Sequence, residues 1–124
     1  MSLVLIIEDN EKNMKLARDI LRAKGYQTAE AVTGEEGVKL AKERKPDLVL
    51  MDIQLPGING IEALKQIRAD AKTAHIPVVA LTASVTPTDR SQITAAGFDA
   101  FIGKPINLKE FLETVQRVLK AGRA

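Results

Sequence analysis

The sequence predicts an α/β fold, a three-layer sandwich in which helices cover both faces of a parallel sheet. Three observations carry that reading. Short runs rich in Val, Ile and Leu are apolar at successive rather than alternate positions, as in strands buried on both faces. Amphipathic stretches with helix start and stop signals lie between them. Five such strand–helix units follow one another without a low-complexity linker or a repeat. Right-handed crossovers then give a (βα)5 doubly wound sheet.

The first strand is LVLII at 3–7. Behind it Met14, Ala17 and Leu21, together with Leu16, Ile20 and Ala23, are expected on one helical face, with Gly25 as the C-terminal cap. A weaker run, YQTAEA at 26–31, gives the second strand. Thr33 and Glu36 stand at capping-box spacing ahead of Val38, Leu40 and Ala41, and Pro46 stops that helix. LVLM at 48–51 is the third strand; a loop with Pro56, Gly57 and Gly60 leads from it to a helical face of Ile61, Leu64 and Ile67. PVVAL at 77–81 is the fourth strand. Thr86, Pro87 and Asp89 start the next helix, with the proline where its missing N–H costs nothing. AFI at 100–102 is the fifth strand. Asn107 with Glu110 opens a last helix whose apolar stripe takes Leu108, Phe111, Leu112, Val115, Val118 and Leu119.

Composition limits what this frame can carry. With 124 residues, 45% of them hydrophobic, the chain suits one domain over 1–124 around a single core. The absence of cysteine excludes disulfides, zinc thiolates and thiol nucleophiles, so a metal here is oxygen-bound. The run Leu3–Ile7 is short, lacks a basic flank and meets Glu8 and Asp9 at once, so it is neither signal peptide nor membrane span. A soluble, cytoplasmic protein with no membrane partner is expected. Net charge is +2, but Lys and Arg are scattered and only one Tyr and three Phe exist to stack on bases. Direct nucleic-acid binding is therefore not expected.

The chemistry lies where the strands end. LVLII is followed by Glu8 and Asp9, LVLM by Asp52, PVVAL by Thr82, and AFI by Gly103 and Lys104. In an open parallel sheet all these ends share one edge, where ligands bind at the reversal of strand order. Three carboxylates, a hydroxyl and an ammonium thus meet. Converging acids repel, a hard divalent cation such as Mg²⁺ relieves the repulsion, and cation plus lysine make a seat for a dianion such as phosphate. Asp52, the acid on the central run, is the candidate nucleophile.

Each residue also has a plainer reading. Glu8 to Glu11 can be a helix N-terminus, where acids meet the macrodipole and Asn10 caps. Asp52 can cap its loop, Thr82 can be a turn hydroxyl and Lys104 a surface charge. Neither capping nor solvation requires all of them to fall at strand ends in this order. His75 reads as a surface loop residue. GINGIEAL at 57–64 lacks the endings of nucleotide-binding loops, so turn chemistry is the better account of its glycines.

Taken together, IIEDN at 6–10, LVLMDIQLPGING at 48–60, VVALTA at 78–83, AGFDAFIGKP at 96–105 and the amphipathic C-terminal helix resemble the receiver domains of bacterial two-component response regulators. Within that family, DNEKNMKL, MDIQLPG, HIPVVALTA and KPI are most similar to single-domain cell-division receivers of the DivK type and to receivers joined to hybrid kinases. The resemblance implies a flavodoxin-like receiver fold with strand order 2-1-3-4-5. It implies that Asp52 accepts a phosphoryl group from a phosphohistidine on a histidine kinase or histidine phosphotransfer protein. Asp9, Asp52 and the main-chain carbonyl of Gln54 would hold Mg²⁺, with Glu8 acting through water. Lys104 would pair with the phosphoryl oxygens, next to a cis Lys104–Pro105 peptide. Thr82 and Phe101 would be the switch pair, reshaping the face of the fourth helix, fifth strand and fifth helix for a downstream protein. Phe101 replaces the family's frequent tyrosine, and Gln54 stands where shorter or differently charged residues also occur. With no output domain expected, the chain would act by docking or be a piece of a longer protein.

Two readings from other classes share parts of this pattern. A haloacid-dehalogenase-type phosphatase also uses a strand-end Asp and Mg²⁺, but needs a second Asp where this chain has Gln54. A flavodoxin-like flavin binder needs a first loop rich in Ser, Thr and Gly, and IIEDNEKN has the wrong charge. The sequence therefore predicts a switch and not an enzyme in the usual sense.

Overall fold

A computed structural model describes residues 2–83 and 86–121. Strand and helix alternate throughout: β1 Leu3–Ile7, α1 Glu11–Ala23, β2 Gln27–Ala31, α2 Gly34–Arg44, β3 Leu48–Asp52, α3 Gly60–Ala69, β4 Val78–Thr82, α4 Pro87–Ala96, β5 Ala100–Gly103 and α5 Leu108–Ala121. The five strands form one parallel sheet in the order β2-β1-β3-β4-β5. Order reverses between β1 and β3, which places the strand ends carrying Glu8 and Asp52 side by side.

The uninterrupted apolar runs have a direct cause: each of the three central strands, β1, β3 and β4, feeds two cores. Leu5, Ile7, Val49, Met51, Val78 and Ala80 pack on one face against Val38 and Ala41 of α2, Leu64 and Ile67 of α3 and Ile93 of α4. Val4, Ile6, Leu48, Leu50, Val79 and Leu81 pack on the other against Met14, Ala17 and Leu21 of α1 and Phe111, Val115 and Val118 of α5. Because strand side chains alternate in direction, burial on both faces requires apolar residues at every position.

Helix starts follow the capping residues. Thr33, Thr86 and Asn107 accept hydrogen bonds from the backbone N–H of Glu36, Asp89 and Glu110, at 3.1, 3.2 and 3.0 Å. Asn10 and Asn59 do the same for α1 and α3. Gly25 follows α1 at φ +89°, where a side chain would be strained.

Two expectations about the core fail. Leu16 is 43% exposed and Leu108 58% exposed. The buried residues of α1 are Met14, Ala17 and Leu21, a stripe too narrow to take in Leu16, and Ala23 is exposed as well. Leu108 has stripe spacing but is the first residue of α5, whose buried residues begin only at Phe111. Strands β3 and β4 also run one residue further than their apolar runs, taking Asp52 and Thr82 into the sheet.

Candidate functional site

The C-terminal edge of the sheet gathers the polar residues. One carboxylate oxygen from each of Glu8, Asp9 and Asp52 lies within 4.8 Å of the others. Glu8 and Asp52 are buried, whereas Asp9, one residue on from Glu8, is exposed. Lys104 enters from the end of β5, with its backbone N–H donating to the Thr82 carbonyl at 2.8 Å and a cis peptide to Pro105. Its Nζ donates to Asp52 Oδ2 at 2.8 Å and stands 2.9 Å from Glu8 Oε1.

The two contacts of Lys104 differ in quality. The bond to Asp52 is aligned; the approach to Glu8 is close but poorly directed, and the fully buried Glu8 Oε1 accepts no hydrogen bond. The other Glu8 oxygen receives a long bond, 3.4 Å, from the Asn10 N–H. Burial is accordingly the main force on Glu8 and, with the Asp52 carboxylate beside it, pushes its carboxyl up to about 7 against the opposing pull of Lys104. Burial works to lower Lys104, but its bond to Asp52 and its charge contacts with Asp52 and Glu8 outweigh that and leave it raised. The ammonium therefore serves Asp52 first.

Asp52 is fixed from both sides. Its Oδ1 accepts from the Gln54 N–H at 2.9 Å while Oδ2 holds Lys104. The loop behind it closes through the Gly60 N–H on the Ile53 carbonyl at 2.9 Å. A Cβ on Gly60 would stand 2.6 Å from the Asp52 carbonyl oxygen and 2.7 Å from Ile53 Cα. This glycine is present for close backbone approach, which corrects the turn reading; Gly57, at φ +75°, does fit a turn.

Thr82 ends β4 and is buried. It lines a cavity of about 170 Å³ shared with Ile53, Gln54 and Ile61. Phe101 lies on β5, half-buried, in a groove of about 670 Å³ between α4, β5 and α5 whose wall includes Arg90, Glu113 and Arg117. His75 is exposed, as expected. Residues missed at the sequence level are the Asn59 cap and Arg90, whose guanidinium carbon is 5.1 Å from the centroid of the Phe101 ring. Capping spacing from Asn59 to Glu62 was available as a signal; nothing in spacing announces the Arg90 contact.

The donor set suits a hard cation. It offers oxygen ligands, two of them on buried acids, one of which has a buried oxygen without a hydrogen bond. Among the described residues no helix is long and apolar enough to cross a membrane.

Comparison with known proteins agrees with this geometry. Residues 4–116 match the response regulator receiver domain. Polar-differentiation response regulators DivK of Brucella anthropi and Brucella melitensis are each 47% identical to the chain over 116 residues, covering 94% of it and 94% of their own length. The receiver domain of a sensor histidine kinase from Pseudomonas aeruginosa, solved with a magnesium ion coordinated in its active-site cleft, aligns with a TM-score of 0.89 at 31% identity over 96% of this chain and 98% of its own. A chemotaxis protein of Vibrio cholerae gives a TM-score of 0.89 at 27% identity, over 95% and 98%. The match runs from β1 into α5 and takes in the whole acidic edge, and the chain belongs to the response regulator receiver domains of two-component signalling.

Proposed function

We propose that Asp52 accepts a phosphoryl group from a phosphohistidine on a histidine kinase or phosphotransfer protein, and that the domain is a switch and not a turnover enzyme. The observation that supports this most is the arrangement of Lys104, shared between Asp52 and Glu8 at 2.8 and 2.9 Å. An ammonium so placed can follow charge from the carboxylate to an incoming phosphoryl group.

In the transfer, an Asp52 carboxylate oxygen forms the new P–O bond as the P–N bond breaks, and the donor imidazole leaves with that electron pair. The transition state is loose, with charge spread over three equatorial oxygens, so stabilising that charge is the protein's main task. Lys104 does so by moving from Asp52 to a phosphoryl oxygen, and the Thr82 hydroxyl donates to another. Asp9, Asp52 and the Gln54 carbonyl would hold Mg²⁺, with Glu8 reaching it through water; the ion supplies neutralisation of the same oxygens. Gln54 offers no second acid for water attack, which favours a product that persists over one that is turned over. Movement of Thr82 toward the new charge makes room for Phe101, and the groove between α4, β5 and α5 changes shape for a downstream protein. A cytoplasmic site of action fits a chain without cysteine whose donor is a kinase.

The test is intact-mass analysis after acetyl phosphate. One phosphoryl group should add when Mg²⁺ is present and not when it is chelated, and Asp52→Asn should abolish the addition while remaining folded. Undiminished phosphorylation of Asp52→Asn would remove Asp52 from the role.

A further inference from the structure

Phe101 makes a contact that the switch reading does not use. Arg90, on α4, holds its guanidinium carbon 5.1 Å from the centroid of the ring. Among the described residues that guanidinium has no ion pair or hydrogen bond, so the ring is its specific partner. Pairs of this kind occur about once per 70–80 residues, so interest lies in where this one falls. It joins α4 to the one aromatic residue of β5, at the wall of the groove that a downstream protein would enter.

We propose that Arg90 is a positioning residue for the switch: its guanidinium holds the Phe101 ring at the groove and opposes inward movement until Asp52 is phosphorylated. This rests on the reading of Asp52, Thr82 and Phe101 given above. The physical argument is differential contact, since a group biases two conformations only if it touches them unequally. A change of χ1 rotamer swings the ring by several ångströms, and the attraction is confined to about 6 Å from the centroid. Arg90 therefore favours the half-buried ring position seen here, which it touches, over one swung out of its reach. At an exposed site such a contact is worth a factor of about two to five in a two-state population. That is enough to lower the unphosphorylated background without blocking a phosphoryl-driven shift. The ring is the right partner for this task, because phenylalanine has no hydroxyl to anchor it in either position. Arginine is also the better cation for it, since its planar, weakly hydrated group stacks on a ring face, whereas a strongly hydrated ammonium approaches it only as a point charge.

The experiment compares ring NMR resonances of Phe101 in wild type, Arg90→Gln, Arg90→Lys and Arg117→Gln, first without ligand and then titrated with beryllofluoride and Mg²⁺ as the phosphoryl stand-in. In Arg90→Gln the unliganded ring resonances should move part-way toward their beryllofluoride positions, with Arg90→Lys intermediate. The half-saturating beryllofluoride concentration should fall about two- to five-fold in Arg90→Gln. Arg117→Gln, which removes a charge from the same groove, should behave as wild type. Unliganded Arg90→Gln resonances that coincide with wild type overturn the proposal, as does an equal shift in Arg117→Gln, which would make the effect one of general charge. Absence of any beryllofluoride response in wild type overturns the phosphoacceptor reading and the coupling with it; the unliganded comparison still decides separately whether Arg90 positions the ring.

Discussion

Replacing Glu8 by glutamine should reverse sign with pH. Glu8 is fully buried and its carboxyl is displaced from 4.5 to about 7. Between those values the folded protein keeps a proton that the unfolded chain has released, so rising pH favours unfolding. At about 1.4 kcal/mol per pH unit of displacement, the metal-free protein loses up to ~3 kcal/mol of stability across that window. Above about pH 7 the loss is complete. Glutamine imitates the protonated carboxyl in size and polarity but does not titrate there.

Urea unfolding in chelator at several pH values between 4.5 and 8.5 measures this directly. Near pH 4.5 the two proteins should be close in stability, and by pH 8 Glu8→Gln should be the more stable by up to ~3 kcal/mol. The other titrating groups are present in both, so the difference between the two profiles reports Glu8 together with its contacts to Asp52 and Lys104. Parallel profiles across the window would show that Glu8 ionises as freely in the folded protein as in the unfolded one, and would refute the account of its burial.

Gly60→Ala should be destabilised by about 1–3 kcal/mol through overpacking against the Asp52 carbonyl, and its phosphorylation by acetyl phosphate should slow. Gly25→Ala, with nothing within 4 Å of the added Cβ but φ at +89°, should lose about 1–2 kcal/mol from backbone strain and phosphorylate at the wild-type rate. Equal phosphorylation rates in the two variants would show that Gly60 does not position Asp52. Asn107→Ala removes the bond at 3.0 Å that caps α5 and should cost about 1 kcal/mol in urea unfolding, with an unchanged midpoint counting against the cap.

The parallel sheet and the acidic edge were legible in the sequence for a topological reason, whereas the strand order came from the family resemblance. A run that is apolar at every position must be covered on both faces, which implies parallel strands, and parallel strands put their last residues together. Asp52, Thr82 and Lys104 could be assigned to one edge without knowing a single distance. Leu16 and Leu108 could not be placed the same way. Hydrophobicity marks both for the core, but burial depends on how wide a stripe the sheet covers and how far it reaches along each helix. Those are properties of the assembled layers. Gly60 was misread for a related reason: it stands eight positions after Asp52 in the chain, and the spacing gives no sign that the loop folds its backbone onto that carbonyl.

The adjacent acids at 8 and 9 mark where sequence reasoning stops more sharply. Both are carboxylates just past β1, and either could be the buried one. Strand direction decides: Ile7 is the last residue of β1, its alternation carries on past the end, and the backbone N–H of Glu8 still bonds to the Ala31 carbonyl at 3.0 Å. Glu8 is thereby held as part of the sheet, with its side chain under Lys104, whereas Asp9 has left the ladder and is exposed. Burial and openness are thus divided between neighbours. A buried acid beside Asp52 raises the cost of negative charge there and keeps Lys104 close. An exposed acid can exchange water for a cation without unpacking the core. The two roles fall to two neighbours because the alternation that turns Glu8 under Lys104 turns Asp9 away from it.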